Sequence, residues 1–317
     1  MDVENDKDLL PYEKIAAADI SVGSRWLVES LWLQSACGIL GGQPKCCKTW
    51  LGLDLAVSIA SATPCLGRFN VLDPGPTLVY LAEDSGPQVR ARVDAICSSR
   101  GIAIDSLDLS LITAPCLRLD TERDQTKLAR TIEKIQPRFL LLDPLVRLHR
   151  LDENNAREIS GLLGFLRELE RRYRVAIMLT HHASKRAGSR PGQSLRGSSD
   201  LHAFGDSNLY LSRTSHDITL TIEHRAAASL QPLSLRLDDS NNKPHLVIHD
   251  GSQPTRTLEV DLRARVIDAL QAAHGPISRT ELRSQLRVNN QRLGQVITEL
   301  QAAGQIVMAS DGLRSTL

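Results

Sequence analysis

The stretch from Gly38 to Ala60, GILGGQPKCCKTWLGLDLAVSIA, constrains the fold more than any other part of the chain. A short apolar run ends in paired glycines, a loop follows, and a helical apolar pattern begins at Lys48. Within it, Gly42-Gln43-Pro44-Lys45-Cys46-Cys47-Lys48-Thr49 keeps the spacing G-x-x-x-x-G-K-[ST], with Cys47 where the second glycine normally stands. A strand that turns into a helix through such a loop points backbone N–H groups and the positive end of the helix at one spot, as a phosphate chain requires. Lys48 is then expected to reach the β- and γ-phosphates and Thr49 to hold Mg²⁺, which makes ATP with Mg²⁺ the expected ligand. The expected nucleotide-binding residues are Gly42, Pro44, Lys45, Cys46, Cys47, Lys48, Thr49 and Trp50. A side chain at position 47 restricts a backbone that glycine would leave free. Cys46 and Cys47 also adjoin Lys48 at a helix start, where thiol pKa values fall, so oxidation that blocks ATP is one reading and a merely tolerated small residue the other.

The surrounding pattern extends this unit into an α/β fold. Strands are expected at 38–40, 77–82, 109–112, 139–142 and 175–180, alternating with helical patterns at 48–62, 87–100, 124–134 and 156–172. That alternation is the mark of a mainly parallel sheet with helices on its faces. Beyond Thr180 strand follows strand, at 208–211, 218–222, 233–237 and 246–248, which reads as an antiparallel continuation. The expected organisation is an acidic lead at 1–24, the α/β domain at 25–250, a linker at 251–257 and a small C-terminal domain at 258–317. This last domain reads helix, helix, helix, β-ribbon, a winged helix-turn-helix pattern.

Composition excludes several classes. With 38 Lys+Arg against 37 Asp+Glu, no global field draws the chain to nucleic acid or an anionic membrane, and any such binding must be local. Aromatic residues make up 3%, too few for a single-strand binder built on rows of stacked rings. The acidic start lacks the pattern of a secretory signal and no run of 18 apolar residues occurs, so a cytoplasmic protein without membrane contact is expected. Six cysteines without C-x-x-C spacing are expected to be reduced thiols.

Further candidates stand at strand ends, the edge where open α/β sheets bind ligands. TLVYLAED ends in Glu83 and Asp84, either of which can activate a water. LLLDPL places Asp143 after an apolar run, where an acid holds Mg²⁺ directly or through water. VAIMLT runs into His181 and His182, one of which can sense a γ-phosphate. Neighbouring residues of a strand face opposite ways, which disfavours a shared metal and leaves one histidine packed and one solvated as the alternative. From Ala183 to Ser199 the chain carries Lys185, Arg186, Arg190 and Arg196 with no acid, either a contact for a nucleic-acid backbone or a solvated loop.

Taken in order, GGQPKCCKTW, VYLAED, LLLDPL, LTHHASK, LRGSSDLHAFGDSNLYLSR and TIEHRAAASLQPLSL resemble the RecA-like ATPase core of the hexameric helicase superfamily. The chain looks most similar to the RepA-like plasmid replication ATPases and more distantly to DnaB-type replicative helicases, over about residues 25 to 240. This resemblance implies a RecA-like P-loop NTPase core. It implies that Glu83 is the catalytic base with Asp84 in support, that Asp143 is the Walker B acid, and that His182 with His181 senses the γ-phosphate. It further implies that Arg225 is an arginine finger acting in trans, on a strand that meets the next subunit. The implied partners are other copies of the chain, in a hexameric ring or a filament, and DNA, single-stranded at the core. His224 stands where DnaB-type proteins often carry a lysine.

In the C-terminal domain seven arginines face six acids, a weak charge for DNA binding. Its last helical pattern nevertheless opens with Asn289, Asn290 and Arg292, groups able to pair with base edges of a duplex. Docking of a protein partner is the alternative. The expected activity is Mg²⁺-dependent ATP hydrolysis, with possible DNA helicase action, in replication or recombination of a mobile element. Its alternatives are an ATP-controlled switch or loader that regulates a recombinase or replication protein without unwinding, and a winged-helix DNA-binding regulator with a degenerate phosphate loop.

Overall fold

The structure is a computed structural model that describes residues 25–153, 155–182, 199–214, 217–239, 242–249, 254–273, 275–286, 288, 290–309 and 312–316. The chain divides into two compact units, Met1–His249 and Asp250–Leu317.

Among the described residues, the first unit holds a nine-stranded sheet. In chain order its elements are a small hairpin, β1 (Trp26–Val28) and β2 (Trp32–Leu33), then β3 (Cys37–Gly42), α1 (Lys48–Ser61), β4 (Thr77–Leu81), α2 (Gly86–Ser99), β5 (Leu109–Leu111), α3 (Glu122–Ile135), β6 (Phe139–Asp143), α4 (Ala156–Tyr173), β7 (Ala176–His182), α5 (Ser199–Phe204), β8 (Ser207–Arg213), β9 (Ile218–His224), β10 (Leu233–Asp238) and β11 (His245–Ile248). The sheet order is β11-β10-β9-β8-β3-β7-β6-β4-β5. Strands β5, β4, β6, β7, β3 and β8 run parallel, while β9, β10 and β11 continue antiparallel. The expected parallel sheet with an antiparallel extension is therefore the architecture found.

Strand β3 lies at the centre because all six of its residues are buried, and its glycines let neighbours approach. Side chains alternate across the sheet. Leu40, Val79, Leu141 and Met178 pack with α1 and α2 on one face. Ile39, Leu78, Leu140 and Leu179 pack with α3 and α4 on the other. Helix α1 is buried nearly all round, and its one acid, Asp54, pairs with Arg100 Nη2 at 2.6 Å, which fixes α1 against the end of α2. Helix α2 starts cleanly because Ser85 N donates to Gln88 Oε1 at 2.9 Å and Pro87 occupies its first turn.

The second unit comprises α6 (Pro254–Ala272), α7 (Arg279–Leu286), α8 (Asn290–Ala302), β12 (Ile306–Ala309) and β13 (Gly312–Ser315), around Val266, Leu282, Leu293, Leu300 and Leu313. Three helices followed by an antiparallel ribbon are compatible with a winged domain. One expectation is corrected here: helix α6 starts at Pro254, inside the segment read as linker. Proline is well suited to a first helical position, where its missing N–H has no intrahelical partner to lose. No described helix is long and apolar enough to cross a membrane.

The tightest steric point of the sheet is Gly38. A Cβ there would overlap the Ser207 carbonyl oxygen and press on the Trp32 ring. Gly38→Ala is expected to cost at least about 2 kcal/mol of stability, the cost of overpacking against a backbone that cannot yield, read as a lower urea midpoint at unchanged slope.

Candidate nucleotide site

The carboxyl ends of β3, β4, β6 and β7 lie side by side, and the loop from Gln43 to Cys47 rises from them into α1. The register pairs Gly42 with His182 and Leu81 with Asp143, so residues distant in the chain meet at one edge.

The loop is held by Lys48. Its side chain is buried, and Nζ donates to the carbonyls of Gly42 at 3.0 Å and Gln43 at 2.9 Å. His182 Nδ1 lies 3.3 Å from the same ammonium. Burial first, then the Lys48 charge, pushes the His182 pKa down, which keeps the ring neutral and leaves it a weak competitor for a phosphate. Cys47, the residue before α1, has φ +70° and ψ +26° in the left-handed region. This conformation explains the usual glycine at that position, since a residue with a Cβ holds it only at a cost. Lys45 has φ +63° and passes its carbonyl to Arg213 Nη1 of β8 at 3.0 Å.

The surroundings of the two thiols favour the tolerated-small-residue reading over a reactive thiol. Burial raises the pKa of both Cys46 and Cys47, outweighing the lowering charge of Lys48 on each and of Arg213 on Cys47. The side chains turn into the protein: Cys46 is fully buried and Cys47 packs against the core.

Thr49 Oγ1 donates to Asp143 Oδ2 at 2.7 Å, and the Thr180 hydroxyl donates to Oδ1 of the same carboxyl group. Burial raises the Asp143 pKa, and the two hydroxyl bonds and Lys48 offset this in part. A buried carboxyl group with a hydroxyl beside it at a phosphate loop is a donor set suited to Mg²⁺, whose charge would offset the buried anion.

Glu83 lies beyond β4 and is about half exposed, with Arg147 Nε donating to its Oε1 at 2.8 Å. Asp84 pairs with Arg92 of α2, whose guanidinium carbon sits 5.7 Å from the Trp50 ring centre. Trp50 thus packs toward α2 and meets an arginine. As alternation requires, His181 and His182 part ways. His181 is buried, with Nδ1 3.9 Å from Glu153 Oε1, while Glu153 also lies 3.5 Å from His149 Nε2. Among the described residues no group of three or more His, Cys, Asp or Glu is placed to hold a metal ion.

Arg225 is not part of this edge, and it lies one residue beyond β9 rather than on the strand. Its N donates to the Asp206 carbonyl at 2.9 Å, its Nη1 lies 3.2 Å from Asp206 Oδ1, and its Nη2 donates to the Ala203 carbonyl. Asp206 caps the start of β3: its N donates to the Cys37 carbonyl at 2.8 Å, and its Oδ2 accepts from Cys37 N at 3.2 Å. With about 3.3 Å per residue, the length of β3 puts Arg225 roughly 17 Å from the phosphate loop of its own chain. His224 turns inward, its ring edge-on to Trp26 at 4.8 Å and Nδ1 3.1 Å from Ser207 Oγ.

Lys185, Arg186, Arg190, Arg196 and Asn289 lie outside the described residues, as do the side chains of Asn290 and Arg292. Reading of the sequence missed Arg92, Arg147, Thr180 and Arg213. Thr180 carried a signal, a polar residue closing an apolar strand; Arg147 and Arg213 carried none, because only chain crossings bring them to Glu83 and the Lys45 carbonyl, while Arg92 meets Asp84 through the start of α2.

Comparison with known proteins places the chain in a family. Residues 23–188 match the AAA_25 model, an AAA domain, over more than half of the chain, and the protein belongs to that family of P-loop ATPase domains. Among solved structures it is similar to an isolated ATPase domain, with 15% identity over 68% of this chain and 86% of that one and a TM-score of 0.51. It is also similar to a DnaB-like replicative helicase whose structure was described with its interactions with primase, with 16% identity, 68% and 57% coverage and a TM-score of 0.52. These likenesses establish the fold, a RecA-like P-loop core. Comparison with curated proteins gives no match.

Two substitutions test the site. Cys47→Gly removes a side chain from the left-handed region and is expected to stabilise the protein by about 0.5–1 kcal/mol, measured by denaturant unfolding. Asp143→Asn removes a buried charge. Because the Asp143 pKa is raised in the fold, its stabilising contribution is full below the unfolded value and declines as pH rises through the folded one. The variant is therefore expected to melt no lower than the parent at neutral pH without nucleotide and to lose the pH dependence this group contributes, as calorimetry across pH will show.

Proposed function

We propose that the protein is a Mg²⁺-dependent ATPase that acts on DNA in replication or recombination, as an oligomer whose subunits complete one another's sites. The observation that carries this reading is the division of the candidate groups between two edges of one sheet. Lys48, Thr49, Glu83, Asp143 and His182 converge at the carboxyl edge, and Arg225 stands at the amino edge, out of reach of its own phosphate loop. If an arginine so placed serves a nucleotide, that nucleotide is a neighbour's, as in a ring or filament.

In this reading Lys48 and the loop N–H groups hold the phosphates, and Glu83 accepts the proton of a water that attacks the γ-phosphorus in line. The bond to the bridging oxygen breaks, ADP leaves, and Arg225 of the next subunit offsets the charge that develops. Thr49 and Asp143 would hold Mg²⁺, which supplies positive charge to the β- and γ-phosphate oxygens. The likeness to an ATPase domain and to a replicative helicase supports work on DNA. The resemblance to RepA-like ATPases directs that work to a mobile element. Single-stranded DNA would meet the core through Lys185, Arg186, Arg190 and Arg196. A winged-helix domain at 258–317 would meet duplex through Asn289, Asn290 and Arg292.

A second reading, an ATP-controlled switch or loader without unwinding, is favoured by one contact. Arg147 occupies the Glu83 carboxylate, so the base starts engaged, as slow hydrolysis requires.

The test is steady-state ATP hydrolysis against protein concentration, with and without single-stranded DNA, for the parent and Lys48→Ala. Specific activity is expected to rise steeply with concentration, to respond to DNA and to vanish in the variant. Hydrolysis no higher than the Lys48→Ala background under every condition rejects the ATPase reading.

A further inference from the structure

The amino edge of the sheet carries a cleft of about 720 Å³ that the chemistry at the carboxyl edge does not use. Five arginines line it: Arg25, Arg138, Arg171, Arg174 and Arg225. Two carboxylates share it, Glu170 and Asp206, and both are already engaged by Arg167 of α4. Asp206 also pairs with Arg225, and five arginines against two acids leave the cleft with a cation excess. Arg171 and Arg174 form no salt bridge among the described residues, and Arg138 reaches only Asp73, at 3.4 Å.

Arg174 adds an independent observation. It closes α4 with φ +52° and ψ +34°, a position where glycine or asparagine costs least. Its carbonyl accepts a hydrogen bond from Ser35 Oγ at 3.2 Å, which any residue at this position would retain. The side chain is exposed, so neither packing nor backbone geometry calls for arginine there. Arg138 and Arg174 immediately precede β6 and β7 or their first buried residues, so the rigid sheet sets their spacing.

We infer that this cleft is a polyphosphate receptor in which Arg138 and Arg174 join Arg225 in gripping the nucleotide seated in a second copy of the chain. The inference rests on the in-trans reading of Arg225 and extends it from one residue to a surface. The anion is identified by its chemistry. Several guanidinium groups converging on an open cleft suit a compact ligand with several negative charges, and guanidinium pairs with phosphate oxygens in bidentate fashion. A nucleoside triphosphate protruding from a neighbour's phosphate loop is such a ligand. Arg225 lines the same cleft, so a ligand that reaches Arg225 comes to the cleft that Arg138 and Arg174 also line.

The experiment uses the full chain and four variants: Arg174→Gly, Arg138→Gln, Arg225→Ala and Lys48→Ala. Arg174→Gly relieves a left-handed arginine and is expected to melt no lower than the parent, so lost activity cannot be ascribed to misfolding. Arg174→Gly and Arg138→Gln are each expected to lower hydrolysis of the assembled protein about tenfold or more. Binding of a fluorescent ATP analogue to the dilute, unassembled chain should stay unchanged. Mixing either variant with Lys48→Ala should restore hydrolysis, since a chain with an intact loop then gains a neighbour with an intact cleft. Parental rates in both cleft variants while Arg225→Ala is inactive overturn the receptor and leave the in-trans reading standing. A loss that mixing does not restore also overturns the receptor. A parental rate in Arg225→Ala rejects the in-trans reading itself, and the receptor with it.

Discussion

The candidate site depends on one buried carboxyl group. Asp143 ends β6, and its two oxygens accept the hydroxyls of Thr49 at the start of α1 and Thr180 at the end of β7. Three elements far apart in the chain are thereby tied at one point. A carboxyl group loses solvation when it is buried, and this raises its pKa despite both bonds and the nearby Lys48. A divalent cation at this carboxyl group would offset the cost of burying it.

The same logic extends to the loop above it. Lys48 commits its hydrogen bonds to two loop carbonyls, so the cradle keeps its shape without a phosphate inside. Cys47 takes up a left-handed backbone conformation that only neighbouring constraints can enforce. Its thiol packs against the core and that of Cys46 is buried, and burial raises both pKa values against the lowering charge of the nearby lysine. Glu83 and Asp84, in contrast, are each met by an arginine, so the acids at this edge are neutralised before any nucleotide arrives.

The sheet also separates charge by edge. Its carboxyl edge gathers Lys48 and acids that are largely paired with arginines, while its amino edge carries five arginines against two acids. The antiparallel return of β9 beside β8 creates this separation, because it carries the chain from the phosphate-loop edge back to the start of β3, where Asp206 receives Arg225. Under the proposed in-trans reading, each edge meets a different copy of the chain, in a heterologous contact that closes into a ring or extends as a filament.

The sequence by itself determined the elements and the phosphate loop. Apolar runs and helical periods are local properties, and a loop that turns a strand into a helix requires particular residues at fixed spacing, so Gly42 to Thr49, Asp143 and the parallel sheet were legible. It also determined that His181 and His182 face opposite ways, since alternation is a property of any strand. The tertiary structure alone decided the order of strands, the pairing of Thr180 with Asp143, the arginines on Glu83 and Asp84, the inward turn of the thiols and the amino-edge cleft. Apart from Arg92 on Asp84, eight positions away, these contacts join residues tens to more than a hundred positions apart, through crossings that no local period encodes. Burial, which raises the pKa of Asp143 and lowers that of His182, exists only once those crossings have packed the sheet between its helices.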